Sequence, residues 1–204
     1  EIYNFADQDN VTWSNELPHY STSVTAVSVI NIFEILKNKK NIKYFQPLSS
    51  NIFGWDKKKS QNESSILSPT SIYALSKLIS FEMVKFFREK FSLKICSGIL
   101  FHHESILREK DYILRKIIEG AEKIKKNKLK FLTLGDINIS RDWGWAPEYV
   151  KLMHLILNKH KTDDYIIATG KTTKLIDILK KTFQYYELDW RKYIKYEKNL
   201  LRKF

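Results

Sequence analysis

The chain has 204 residues, 43% of them hydrophobic and 14% aromatic, which is enough apolar material for a real core in one or two small domains. The formal net charge is +12, but the lysines are scattered, with small clusters at residues 57–59 and 123–128 and no zinc-finger or RNA-recognition spacing, so no nucleic-acid partner is expected. No run of ~18 apolar residues and no secretory leader is read, and the single Cys96 excludes an intrachain disulfide; a cytoplasmic protein with no membrane partner is expected.

Residues 1–5 read as a short apolar strand. Residues 20–37 carry helical spacing through Val24, Val27, Ile30, Ile32, Phe33 and Leu36. A strand is expected over 42–48, a polar loop over 49–69, and a helix from there to about Phe91. Residues 93–101 read as a buried strand, in which Cys96 is an inert buried thiol. A basic amphipathic helix over 111–125 and a strand over 130–134 follow. Ala146–Leu157 is predicted as a helix, with Pro147 tolerated in its first turn. A strand over 165–168 precedes Thr169 and Gly170, and a helix over 173–185 comes next. Strands alternating with helices imply an α/β fold with a parallel sheet covered on both faces.

The chain has only six glycines, and none form the clustered turn that receives a pyrophosphate at a helix N-terminus. His102 and His103 stand together, but no carboxylate or cysteine recurs at ligand spacing, so no metal is expected. Tyr73 and Lys77 are four apart on a predicted helix and share a face. A lysine ammonium beside the phenol would favour phenolate and bring the tyrosine below its usual value of roughly 10. Such a tyrosine can act as a base on a sugar hydroxyl, with upstream Ser49 bonded to the same oxygen.

The segments EIYNFADQDNV, SSNIFG, SPTSIYALSK, GILFHHES, RDWGWAPEYV, YIIATG and ELDWRKY occur in this order. Together they resemble the extended short-chain dehydrogenase/reductases, and within them the GDP-mannose 4,6-dehydratases. The most specific parts are HES, RDWGWAPEYV and LDWRKY. The resemblance implies a partial Rossmann-type sheet lacking its first strands, in residues 1–101. A smaller, mainly nucleotide-sugar-binding region would follow in 102–204, with some segments returning to the sheet. The chain would then be an internal portion of a longer protein, with an open edge at its first strand, marginal stability and poor dinucleotide binding.

The implied reaction oxidises C4 of the hexose with NADP or NAD, removes water across C5–C6 and returns hydride to C6. Ser49, Tyr73 and Lys77 would be catalytic, while Asn51 stands where the family has its eliminating glutamate. Asp56 or Glu63, in the loop that follows, are the alternative carboxylates. Phe5, Ala6, Asp7, Gln8, Asp9, Tyr20, Lys77, His103 and Arg108 match cofactor contacts. Asp7 and Asp9 replace small or neutral residues, which implies weaker cofactor binding. Tyr20 reads equally as a core aromatic. His102, in place of an asparagine, and Arg141 match substrate contacts, while Ile176 replaces a nucleotide-binding arginine. Asp142 is expected to fix local backbone, and Trp143 and Trp145 to fill the core. The implied partners are a nucleotide sugar, GDP-mannose or a related GDP-sugar, and further copies of the chain in a homodimer or homotetramer. The alternatives are a nucleotide-sugar C4 dehydrogenase or epimerase and a non-catalytic remnant.

Overall fold

The computed structural model describes residues 1–54 and 60–197; Asp56 and the lysines at 57–59 lie outside them. In chain order the elements are β1 (Ile2–Tyr3), α1 (Val11–Glu16), α2 (Pro18–Thr22), a π-helical turn (Ser23–Val27), α3 (Ser28–Leu36) and β2 (Lys43–Ser49). A 3₁₀ turn (Ser50–Phe53), α4 (Ile72–Phe91), β3 (Lys94–Leu100), β4 (His102–Glu104), α5 (Ile113–Lys125) and β5 (Leu132–Leu134) follow. The last are β6 (Ser140–Trp145), α6 (Ala146–Leu157), β7 (Asp164–Ile167), β8 (Thr172–Lys174), α7 (Leu175–Tyr185), a 3₁₀ turn (Trp190–Lys192) and β9 (Ile194–Tyr196).

The chain divides into two compact units. One comprises Glu1–Phe101 with Pro147–Ile167, the other His102–Ala146 with the segment from Ala168 onward. The first is built on a four-stranded sheet in the order β1-β2-β3-β7, and every pairing is parallel. Adjacent strand residues point to opposite faces, and the sequence uses this directly. Tyr44 and Ile95 face Val29 and Phe33 of α3 and Val84 of α4. Their neighbours Phe45 and Cys96 face Tyr149 and Met153 of α6. Phe33, Tyr44, Phe45 and Ile95 are completely buried, and each such side chain contributes about 1.5–3 kcal/mol of transfer free energy. At the centre of β3 only glycine fits, because a Cβ on Gly98 would lie 2.6 Å from Phe45 Cζ.

Strand β7 is one of the sheet's two outer strands among the described residues, and polar groups fasten it. Arg88, near the end of α4, donates from both terminal nitrogens to Asp164, at 2.9 and 2.6 Å. Ser97 on β3 donates to the same carboxylate at 2.6 Å. Further along, the Ile166 amide donates to Glu63 Oε1 at 2.9 Å. Cys96 is buried as expected, and burial pushes its thiol up.

The second unit packs α5 and α7 over the β5–β9 pair, with Ile117, Leu134, Leu175 and Phe183 at its centre. Strand β6 pairs with β4 in parallel and with β8 antiparallel.

The structure corrects several expectations. Helix α1, capped by Asn10 through the amides of Thr12 and Trp13, and strands β4, β6, β8 and β9 are short elements without a full period of apolar residues. The helical run begins at Pro18, the tolerated first position, and contains a π turn. Trp145 is half-exposed and does not fill the core, and Tyr20 is exposed, so its reading as a core aromatic fails. Among the described residues no helix is long and apolar enough to cross a membrane.

The Arg88–Asp164 pair is about 12–13% exposed. Arg88→Met leaves a largely buried carboxylate with one neutral donor and is expected to cost about 3–5 kcal/mol. Urea denaturation of the two proteins measures it.

Candidate active site

Ser49 ends β2, and Tyr73 and Lys77 lie in the first two turns of α4. Ligand crevices of parallel α/β sheets open at the carboxyl ends of the strands, and Ser49 stands at that end. The start of α4 is held by side chains that sequence reading missed. Ser71 caps it through the Ala74 amide at 3.1 Å, while the Tyr73 amide donates to Ser14 at 3.0 Å and the Ile72 amide to Asn15 at 3.3 Å. A serine just before an apolar helical run was the signal available for Ser71. Ser14 and Asn15 carry no local signal, because they meet α4 only through the chain's tertiary path.

The structure brings Ser49, Tyr73 and Lys77 together. Ser49 lies beside the Tyr73 hydroxyl and favours its ionised form, and Lys77 Nζ lies 5.8 Å from the centre of the Tyr73 ring. Both Tyr73 and Lys77 are buried. Ser49 Oγ also accepts from the amide of Asn51, at 3.3 Å, so Asn51 stands in the turn immediately beyond the hydroxyl.

The electrostatics depart from expectation. The ammonium of Lys77 forms an ion pair with Asp7 and donates to the carbonyl of Pro47 at 2.9 Å. Asp7 also accepts from Thr25 in the π turn, at 2.7 Å. The lysine's charge is thus matched by a carboxylate. Burial pushes the Tyr73 hydroxyl above the ordinary phenol range, Asp7 and Asp9 push it further, and neighbouring Ser49 only partly opposes them. The expectation of an easily ionised Tyr73 is therefore not met, chiefly because the phenol is buried. The picture of Asp7 as an extra repulsive charge is corrected likewise, because it is the counter-ion of Lys77.

A polar web supports this pair from below. Asn4 donates to Gln46 at 3.2 Å and Tyr44 donates to the same oxygen at 2.6 Å, while Gln46 donates to the Pro47 carbonyl. Pro47 lies beyond the two-residue pairing with β1, where its missing N–H is not needed. In the loop after β1, Gln8 is buried and its Oε1 has no hydrogen-bond partner. A buried acceptor of this kind suits a donor on a bound ligand, so these residues fit the nicotinamide end of a dinucleotide. Phe5 and Tyr20 are exposed, and Ala6 is tied back to Asn4.

In the second unit, Arg108 is already engaged. It donates to Glu104 at 2.8 Å and to the His103 carbonyl at 2.7 Å, and it stacks on Tyr112. These bonds use two of its five N–H donors and fix the guanidinium in place. The His102 ring sits edge-on to Trp143. Arg141 donates to the Ser140 carbonyl at 2.8 Å. Asp142 is occupied by backbone, accepting from Thr169 N and Oγ1 and from Gly170 N at 3.1, 2.8 and 2.7 Å. Ile176 packs against the core of this unit. Glu63, one alternative carboxylate, is spent on the outer strand; the other, Asp56, is outside the described residues.

The family described as GDP-mannose 4,6 dehydratase matches residues 1–203. GDP-mannose 4,6 dehydratase 1 of Arabidopsis thaliana is 36% identical over 99% of this chain, and the chain spans 57% of that relative's length. Among solved structures, UDP-N-acetylglucosamine 4-epimerase from Methanobrevibacter ruminantium, in complex with UDP-N-acetylmuramic acid, superposes with a TM-score of 0.86 at 21% identity, covering 97% of this chain and 64% of that one. RMD from Pseudomonas aeruginosa, complexed with NADPH, gives 0.88 at 16% identity, with 96% of this chain and 67% of that one covered. At these identities the structures establish the fold.

The raised phenol of Tyr73, like that of buried Tyr44, gives a signed pH prediction. Each is held un-ionised in the fold but ionises normally when unfolded. Their contribution to stability is full below about pH 10 and is lost as pH rises through the folded values. Tyr73→Phe is expected to flatten this alkaline fall, read by urea denaturation across about pH 8–11.

Proposed function

The chain belongs to the GDP-mannose 4,6-dehydratase family, and from that premise we propose that it carries the proton-transfer group of a nucleotide-sugar enzyme. The whole protein would act on GDP-mannose or a related GDP-sugar. The observation that carries this reading is that the buried Tyr73 hydroxyl lies beside Ser49 at the carboxyl end of β2, with Lys77 beside the ring. NADP or NAD, when bound, supplies the hydride acceptor at C4 and the donor at C6. Ser49 would hold the C4 hydroxyl, and Tyr73 would take its proton only in the phenolate form, which the protein without ligand disfavours. Lys77, with Asp7, orients the site, and Gln8 offers its buried oxygen to the ligand. Phe5, Ala6, Asp9, Tyr20, His103 and Arg108 are the further cofactor contacts of this reading, and His102 and Arg141 the substrate contacts. Assembly as a homodimer or homotetramer and a cytoplasmic setting complete it; the lone, buried Cys96 suits a reducing compartment.

Asn51 favours a second reading in which the reaction stops at C4, as in a dehydrogenase or epimerase. An asparagine amide neither takes nor gives a proton near neutrality. Oxidation uses only Ser49, Tyr73 and Lys77, whereas loss of water across C5–C6 needs an acid–base group that Glu63, engaged with Ile166, does not provide.

The test is a product assay on the complete protein with GDP-mannose and NADP or NAD. A 4-keto-6-deoxy product is expected to form slowly, and Asn51→Glu is expected to accelerate elimination by about 10²–10⁴-fold. A 4-ketohexose with reduced cofactor, and no deoxy product, supports the second reading. Tyr73→Phe should abolish oxidation in either case, and unchanged turnover in that variant refutes the proton-transfer role.

A further inference from the structure

We propose that Asp7 is a positioning residue of this site, whose carboxylate, braced by Thr25, holds the Lys77 ammonium against the Pro47 carbonyl and cancels its charge, so that the lysine does not act on Tyr73 as a lone cation. The inference rests on Tyr73 and Lys77 being the proton-transfer pair proposed above.

The geometry supports this from several sides. Lys77 is almost wholly buried, with a side chain 3% exposed, and Asp7 is 15% exposed. A buried ammonium is unstable without an opposite charge and hydrogen-bond acceptors. Asp7 provides the first and Pro47 a further acceptor, at 2.9 Å. Asp7 is itself fixed, because Thr25 Oγ1 donates to it at 2.7 Å. Thr25 lies in the π turn, which is held to α4 by Ser80 donating to the Thr25 carbonyl at 2.8 Å. Asp7, Thr25 and Lys77 thus come from three separate segments that converge on one charge.

The charged groups facing Tyr73 are Asp7 and Asp9 from the loop after β1 and Lys77 from its own helix, and its hydroxyl partner is Ser49 from β2. With Lys77 paired, no lone cation offsets the burial of the phenol, to which Asp7 and Asp9 add, and the phenol holds its proton. Asp7 therefore sets how readily this site releases a proton, without touching the reacting atoms.

The test uses the full chain without cofactor or substrate. Lysine ammonium signals are followed by ¹H–¹⁵N correlation, with Lys77 assigned by its loss in Lys77→Met. The parent is expected to show Lys77 as a slowly exchanging ammonium. That signal should vanish in Asp7→Asn, which keeps the shape and the Thr25 bond, and in Asp7→Ala, which reduces the side chain to a methyl. Tyr73, followed through its ¹³Cζ signal, should begin to titrate about 1 pH unit or more earlier in both variants. A purely structural carboxylate would not move that onset. Thr25→Val, which removes only the brace, should shift both readouts in the same sense but less, and it serves as the test if the Asp7 variants do not fold. An unchanged Lys77 signal, or the same Tyr73 onset as the parent, overturns the proposal. None of these readouts needs turnover, so failure of the dehydratase reading appears in the product assay alone.

Discussion

A positive charge cannot be buried at the end of a parallel sheet without something to answer it. The first unit is arranged around that constraint. Lys77 is on the inner face of α4, where its aliphatic stem packs and its ammonium must find acceptors. Asp7 and Pro47 answer it, Thr25 fixes Asp7, and Gln46 shares the Pro47 carbonyl. Through these groups the loop after β1, the middle of β2, the π turn and α4 are joined at one point. The π turn has a reason in this setting, since such irregularities recur where a side chain must be re-aimed toward a functional site.

The same region holds the proposed proton-transfer residues. Ser49 and Tyr73 lie together there. The position just beyond them is an amide, Asn51, whose backbone donates to Ser49. Glu63, one of the loop carboxylates that follow, accepts from the Ile166 amide on the exposed edge of β7.

Much of the fold was legible in the pattern of residues. Alternation around Tyr44–Phe45 and Ile95–Cys96 marks strands buried on both faces, and the observed helices cover both. Ala146–Leu157 is the helix expected, to the residue. The misses share one physical cause. Strands β4, β6, β8 and β9 are short and half-exposed, so the chain's own periodicity is too brief to declare them. Trp143 and Trp145 looked alike in RDWGWAPEYV, yet only Trp143 packs on a core, because adjacent strand residues face opposite ways.

Local order decides what lies within a few residues. The sequence alone was sufficient for the α/β class, for the Tyr73–Lys77 spacing on one helix face and for the family likeness. Charge compensation is not local, and it was left to the tertiary structure. Asp7 and Lys77 are seventy positions apart in the chain, and no periodicity links them. Only folding showed that the carboxylate meets the ammonium, and that burial leaves Tyr73 a reluctant acid, because desolvation and Coulomb forces act through space and not along the chain.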